Sequence, residues 1–238
     1  MNIYAIGDIH GCLNELNSLH KKIFSAEKFK VEEDLLIYLG DYIDRGPKSK
    51  QVIDTIVDLK KKEIKTIFLM GNHEEFMFDF LFNKNNNIKK WIDFGADQTF
   101  KSYDIEVVEF IKDGFDDHII DRLRKTLLEK MSHEHFDFFK NLELMFIVEQ
   151  YLFVHAGIDP KKSLKEQNKH NFLWSRSEEF FNESFKFDKI IVHGHTPEKN
   201  CINLPYRINI DTGCYFSGKL SGAALNDFDN KREFIDSK

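Results

Sequence analysis

Along this chain, short apolar runs alternate with polar clusters: "NIYAI" precedes "GDIHG", "LLIYL" precedes "GDYIDRG", "TIFLM" precedes "GNHE", "YLFV" precedes "HAG" and "KIIV" precedes "HGHT". Continuous apolar runs of this length, closed by turn-forming residues, predict strands buried on both faces. Helix-compatible stretches such as "LNELNSLHKKIFSAEKF" follow the first three runs, and that alternation predicts an α/β fold. Further on, "NKNNNIKK" predicts a loop and "DDHIIDRLRKTLLEKMSHEHFDFFKNL" a helix, its apolar positions recurring at helical spacing. These stretches read as a largely helical insertion at about 76–148 within a single domain spanning 1–238. The tail from "CYFSGKL" to "SGAALNDF" holds strand-like pieces and is expected to close a second sheet.

All five polar clusters fall at the carboxyl ends of these strands, where loops converge and ligands bind in open α/β sheets. Turn chemistry alone accounts for Gly, Asp and Asn there. It does not account for His10, His73, His155, His193 and His195, half of the chain's ten histidines. The "HEH" at 133–135 lacks the i, i+4 spacing of a helical metal site and reads as a solvated helix end.

Composition narrows the class. The chain is 42% apolar and 31% charged, as soluble globular proteins are, and its 24 phenylalanines supply a large core. A net charge of −6 argues against nonspecific nucleic-acid binding. The start "MNIYAIGDIHG" has no basic leader before an apolar segment, and no run approaches the ~18 apolar residues of a membrane span. Cys12, Cys201 and Cys214 lack paired spacing and read as free thiols in a reducing compartment, with Cys12 expected to be buried as a small apolar residue. A cytoplasmic protein with no membrane or nucleic-acid partner is the expectation, the monomer being favoured.

Asp8, His10, Asp41, Asn72, His155 and His195 offer carboxylate, imidazole and amide donors without a required thiolate, a set suited to Mn, Fe or Zn. Six ligands exceed one catalytic zinc and suffice for two metals about 3.5–4 Å apart sharing one carboxylate. Arg45 supplies a bidentate fork for phosphate. His73 is the candidate proton donor to a leaving alkoxide, and Asp44 the carboxylate that fixes its tautomer and raises its pKa. Asp211 either positions a ligand from behind or shapes a turn. "CINLPYR", residues 201–207, meets the Cys-x5-Arg spacing of thiol phosphatases but has bulky residues where backbone amides would have to wrap a phosphate.

Taken in order, "GDIHG", "GDYIDRG", "GNHE", "HAG" and "HGHTP" resemble the phosphoprotein phosphatase family of the calcineurin-like metallophosphoesterases, and most closely its bacterial and bacteriophage lambda-type serine/threonine phosphatases. "LWSR" at 173–176, "INIDTG" at 208–213 and "WIDFGADQTFKSY" extend the resemblance over nearly the whole chain. It implies a central β-sandwich of two mixed sheets flanked by helices, in four layers. It also implies two divalent cations, Mn2+ by preference with Fe or Zn as alternatives, and attack on phosphorus by a metal-bridging hydroxide without a phosphoenzyme. By the same resemblance Asp8 and His10 match ligands of the first metal, Asp41 the bridge, and Asn72, His155 and His195 ligands of the second. His73 matches the general acid, Asp44 its partner, and Arg45 and Arg176, with Asn72, the phosphate contacts. His193 maps to a variable neighbour, and Pro197 stands where many phosphodiesterases of the wider superfamily carry a further histidine. The implied activity is that of a serine/threonine protein phosphatase acting on phosphoproteins or phosphopeptides, with phosphotyrosine and phosphohistidine as further candidates. The alternative is a symmetrical diadenosine tetraphosphatase. A catalytically dead scaffold is disfavoured because every expected position is filled.

Overall fold

The structure is a computed structural model that describes residues 1–25, 29–83, 87–112, 114, 116–226 and 231–238. Its strands are β1 (Asn2–Ile6), β2 (Leu35–Tyr38), β3 (Lys65–Phe68), β4 (Met145–Val148), β5 (Tyr151–Val154), β6 (Ile190–His193), β7 (Ile202–Asn203), β8 (Arg207–Asn209), β9 (Ser221–Asn226) and β10 (Arg232–Asp236). The α-helices are α1 (Leu13–Ser25), α2 (Ser49–Lys60), α3 (Asn72–Phe78), α4 (Ile88–Asp93), α5 (Ala96–Ser102), α6 (Val107–Ile111), α7 (Asp117–Lys130), α8 (His133–Lys140), α9 (Lys169–Trp174), α10 (Glu178–Phe181) and α11 (Cys214–Ser217).

Strand alternation separates the layers. In β1, Ile3 and Ala5 face one way and join Leu35, Ile37, Tyr151, Phe153, Val192 and Ile208 in a core between two sheets. Tyr4 and Ile6 face the other way, into a core with α1, α2 and the helices between β3 and β4. Leu152, Val154 and Ile191 turn from the second sheet to pack with Phe172 and Phe180 of α9 and α10. Both sheets are mixed and five-stranded, in the orders β10-β9-β1-β2-β3 and β4-β5-β6-β8-β7. The expected four-layer sandwich is what forms. Parallel pairing of β1, β2 and β3, and of β5, β6 and β8, brings the carboxyl ends of each group into line. All five apolar runs are strands.

Four local expectations are corrected. The predicted helix over "DDHIIDRLRKTLLEKMSHEHFDFFKNL" is two helices, because Met131 turns extended (ψ 133°) and Ser132 caps α8 by accepting from the His135 N–H at 3.2 Å. In "NKNNNIKK", α4 already begins at Ile88, and residues 84–86 lie outside the described residues. The tail does not close the second sheet: β9 pairs antiparallel with β1 in the first, Ile3 opposite Leu225, while "CYFS" is helical. In "HEH", His133 and Glu134 are exposed, but His135 is buried, with its Nε2 2.8 Å from Asp54 Oδ1 and its Nδ1 bonded to the Tyr103 hydroxyl at 2.7 Å. That residue ties α8 to α2. Among the described residues no helix is long and apolar enough to cross a membrane.

Candidate active site

The site is assembled at the strand ends. Asp8 and His10 follow β1, Asp41 and Asp44 follow β2, Asn72 and His73 open α3, His155 follows β5 and His195 follows β6. All eight are at most 8% exposed. Tight loops place them: His10, Asp41, Asp44, Arg45 and His195 all have positive φ, between 47° and 70°. Such angles are unfavourable for side-chain-bearing residues and collect where function overrides local preference.

Asp41 stands at the centre. Its Oδ2 lies 3.4 Å from His10 Nε2, its Oδ1 3.4 Å from His155 Nε2, and its Oδ2 3.9 Å from His73 Nε2. Asn72 Oδ1 lies 2.9 Å from His155 Nε2 and 2.8 Å from His195 Nδ1. Asp41 is thus common to two clusters of donor atoms, one with His10 and His73 and one with His155 and His195. Asp8 belongs to neither cluster but adjoins them by accepting the His195 backbone N–H at 3.0 Å, and Gly194 is required there because a Cβ would stand 2.0 Å from Asp8 Oδ1. The predicted residues therefore meet in one place.

Tautomers are set from behind. His10 Nδ1 donates to the Ile43 carbonyl and His155 Nδ1 to the Leu39 carbonyl, both at 2.8 Å, which leaves each Nε2 lone pair facing the site, where His10 Nε2 accepts from Arg45 Nη1 at 3.1 Å and His155 Nε2 lies 2.9 Å from Asn72 Oδ1. Burial holds His10 well below the ordinary imidazole range, lowers His155 and pushes His195 down to about 2, so these rings are neutral donors. Of the four imidazoles around Asp41, only His73, whose own pKa is raised, can carry the charge that holds the buried Asp41 carboxyl below the carboxylate range. Burial, reinforced by Asp211 and Asp41, raises Asp8 well above it. A shared carboxylate among neutral imidazoles, with an amide oxygen and a second carboxylate, fits divalent cations.

His73 differs from the other imidazoles. Its Nδ1 is bonded to Asp44 Oδ2 at 2.7 Å, while its buried Nε2 has no hydrogen-bond partner among the described residues. Burial opposes its charged form, but Asp41 and Asp44 outweigh it and raise the pKa. Asp44 is itself anchored by the Trp91 indole N–H at 2.7 Å on Oδ2 and the Thr99 hydroxyl at 2.5 Å on Oδ1, and its own N–H is bonded to Thr99 Oγ1 at 2.8 Å. Gly95 between them has φ 100° and accepts the Arg45 N–H at 3.1 Å; a Cβ there would sit 3.0 Å from that nitrogen. The Trp, Gly and Thr of "WIDFGADQT" thus hold the Asp44–Arg45 pair.

Sequence reasoning missed two contributors. Glu74, inside "GNHE", accepts backbone N–H groups of Asp41 (2.7 Å), Tyr42 (2.9 Å), Ile43 (3.3 Å) and Gly71 (2.9 Å), while burial and Asp41 push its carboxyl up to about 8. Tyr215 lies with its ring centroid 4.6 Å from the Arg45 guanidinium carbon and meets His10 edge-on at 5.4 Å. Arg176 Nη2 donates to the His195 carbonyl at 3.2 Å, which sets it beside Arg45 at the mouth. Of the two roles weighed for Asp211, the turn is the one seen, its Oδ1 accepting the Gly213 N–H at 2.8 Å. His193 points away, against Phe180 with ring centroids 5.1 Å apart. The opening is a cavity of about 350 Å³ floored by Asp41, Asn72 and His195 and walled by Phe94, Trp174 and Tyr215.

Fold and site together define a metal-dependent phosphoester hydrolase. The chain belongs to the calcineurin-like phosphoesterase family, whose profile matches residues 1–231. It is 28% identical over 239 residues to the bis(5'-nucleosyl)-tetraphosphatase PrpE [asymmetrical] of Anoxybacillus flavithermus, covering 91% of this chain and 87% of that one. The protein of the same name from Oceanobacillus iheyensis is 27% identical over 93% of this chain and 87% of its own. Among solved structures, a protein serine/threonine phosphatase from Saccharomyces cerevisiae shares the fold with a TM-score of 0.58 at 15% identity, over 99% of this chain and 79% of that chain.

Proposed function

We propose that the chain hydrolyses dinucleoside polyphosphates, cleaving a dinucleoside tetraphosphate into a nucleoside monophosphate and a nucleoside triphosphate. The observation that carries this is the aromatic wall: Phe94, Trp174 and Tyr215 stand around Arg45 and Arg176, so a base has ring faces to stack on while its phosphates meet two guanidinium forks. The printed name of the 28% identical relative supports the same substrate class and the asymmetric cut.

In this reading Asp8, His10, Asp41, Asn72, His155 and His195 hold two divalent cations, Mn2+ by preference. When bound, these would supply an activated water and neutralise phosphoryl charge. Arg45, braced by Tyr215 and the Gly95 carbonyl, and Arg176, braced by the His195 carbonyl, orient the phosphoryl group for in-line displacement. His73, held by Asp44, presents Nε2–H to the departing oxygen.

That last element favours a second reading, the phosphoserine and phosphothreonine phosphatase of the sequence analysis. A nucleoside triphosphate leaves as a stable anion, whereas a serine alkoxide needs a proton, and the His73–Asp44 pair supplies one. Purified protein with Mn2+, assayed side by side on diadenosine tetraphosphate, phosphoserine and phosphothreonine peptides and p-nitrophenyl phosphate, separates the two. Adenosine mono- and triphosphate released far faster than peptide phosphate is the expected result. Peptide turnover exceeding nucleotide turnover overturns the first reading in favour of the second.

A further inference from the structure

Beside the candidate metal centre lies a cluster that the proposed reaction does not use: the Cys12 and Cys214 thiols and the Glu15 carboxylate, with one ligand atom of each within 4.8 Å of the others. Cys12 occupies the turn between β1 and α1; contrary to expectation it is partly exposed, and its Sγ donates to the His10 carbonyl at 3.5 Å. Cys214 opens α11 and is only 2% exposed. The two are 202 positions apart in the chain (214 less 12), so spacing gave no hint of a pair.

We propose that Cys12 and Cys214 form a peroxide-sensitive modification site, closing to an intramolecular disulfide that disengages Arg45 from substrate phosphate. Exposure assigns the order of events. Peroxide reaches Cys12, whose sulfur takes one oxygen and becomes a sulfenic acid while water leaves; the Cys214 sulfur then attacks the sulfenic sulfur, expelling a second water and forming the S–S bond. Two thiols lose two electrons and one peroxide is reduced to two waters. A dithiol reductant reverses the change.

The coupling to Arg45 runs through one residue. Tyr215 follows Cys214 directly and packs on the Arg45 guanidinium at 4.6 Å and on His10 at 5.4 Å. A disulfide needs its sulfurs at about 2.0 Å, so one side of the pair must move. The Cys12 turn is braced, with Gly11 N–H on the Tyr42 carbonyl at 2.9 Å, Cys12 N–H on that of Ile9 at 3.1 Å and Lys48 N–H on that of Gly11 at 3.2 Å. α11 is a single four-residue turn whose Tyr215 is 43% exposed. The α11 side yields, and Tyr215 leaves Arg45.

The test uses the full chain loaded with Zn2+, a cation that peroxide does not oxidise, treated with hydrogen peroxide and then desalted into Mn2+ assay buffer. Titratable thiols should fall from three to one, the intact mass should drop by about 2 Da, and peptide mapping should join the Cys12 and Cys214 peptides. Turnover of p-nitrophenyl phosphate should fall about 10-fold or more, as expected for losing a cation–π brace on a binding guanidinium, and return with dithiothreitol. Cys201→Ser should behave like the natural chain, whereas Cys12→Ser should keep its activity through peroxide. Three thiols persisting, stable oxygen adducts on Cys12 without a cross-link, or a bridge involving Cys201 would each overturn the site. A Cys12–Cys214 bridge with unchanged turnover would overturn the link to Arg45. The mass and mapping readouts do not depend on which substrate the enzyme takes.

Discussion

Replacing Asp44 by Asn should separate proton donation from every other task of the site. Asp44 is fully buried and receives His73 Nδ1–H and Trp91 Nε1–H on one oxygen and the Thr99 hydroxyl on the other. In Asp44→Asn the amide oxygen can still accept from His73 and Trp91. The new NH2 then faces Thr99, whose hydroxyl can turn toward Ser49 Oγ at 3.1 Å and accept from the amide instead. The geometry survives, and the cost in stability is that of exchanging charge-assisted bonds for neutral ones, about 1–3 kcal/mol. What is lost is the negative charge that, with Asp41, keeps His73 protonated. A positioned general acid is worth roughly 10²–10⁴ in rate, so kcat on a phosphoserine peptide should fall by about that factor. On p-nitrophenyl phosphate or diadenosine tetraphosphate, whose leaving groups are stable anions, the fall should stay within about 10-fold. The basic limb of the pH profile for the peptide should also move to lower pH, because a raised imidazole pKa relaxes when one of its carboxylates is neutralised. Bound metal, read by elemental analysis, should be unchanged. Equal losses on all three substrates with metal retained would refute the assignment of His73 as acid and Asp44 as its partner.

Glu74→Gln replaces an acceptor of four backbone N–H groups with one that has a single oxygen, so it should cost on the order of 3 kcal/mol in denaturant unfolding and lower metal occupancy. Gly95→Ala places a Cβ 3.0 Å from Arg45 N at φ 100°, and should raise KM several-fold with little change in kcat, alongside a thermal shift equivalent to about 1–2 kcal/mol. Removing divalent cations with a chelator should abolish turnover and lower Tm, with both restored by Mn2+, since a ligand of the folded state alone stabilises it by mass action; an unchanged Tm would count against cation binding at this site. Burial lowers His20 to about 4, so its native form is neutral. Stability should then be undiminished above pH 6.5 and fall as the unfolded chain takes up a proton below it, by up to about 3 kcal/mol near pH 4. His20→Gln, which can keep the bond to the Tyr38 hydroxyl, should flatten that part of the stability–pH curve.

What was legible in the sequence was what each segment carries by itself. A strand buried on both faces announces itself by a continuous apolar run, and the donor residues stood in the turns that ended those runs. Partnership was hidden. β9 has the pattern of a strand, but nothing in that pattern says that its neighbour is β1 rather than a strand of the other sheet. The apolar periodicity ran through Met131 without a break, and only Ser132, a capping residue, marked the new helix. His135 looked solvated because its partners, Asp54 and Tyr103, lie 81 and 32 positions upstream (135 less 54, and 135 less 103). Glu74 was overlooked for the same reason, since three of the four N–H groups it accepts belong to residues 31 to 33 positions away. The Trp, Gly and Thr pattern was visible as a resemblance, yet its meaning, a clamp on Asp44 and Arg45, required the folded chain.

The backbone explains why these loops depend on one another. Of the eight non-glycine residues with positive φ among those described, five lie in the site: His10, Asp41, Asp44, Arg45 and His195. Each left-handed residue costs on the order of 1 kcal/mol, so no such loop is stable through its own preferences. Each is held by another loop. Ile9 and His10 donate to the Asp41 carbonyl at 3.0 and 2.8 Å, Asp41 donates to Glu74 at 2.7 Å, Arg45 to the Gly95 carbonyl at 3.1 Å, and His195 to Asp8 at 3.0 Å. The links run from the β1 turn through the β2 turn to the β3 turn, and across the sandwich from β6 back to β1. Because these bonds are made by backbone and carboxylate groups of the chain itself, the donor atoms converge before any cation arrives, which is the condition for binding without paying to order the loops. Damage in one turn should therefore be felt in the next, and the residues that matter most to the shape of the site include some, such as Glu74 and Gly95, that never face the substrate.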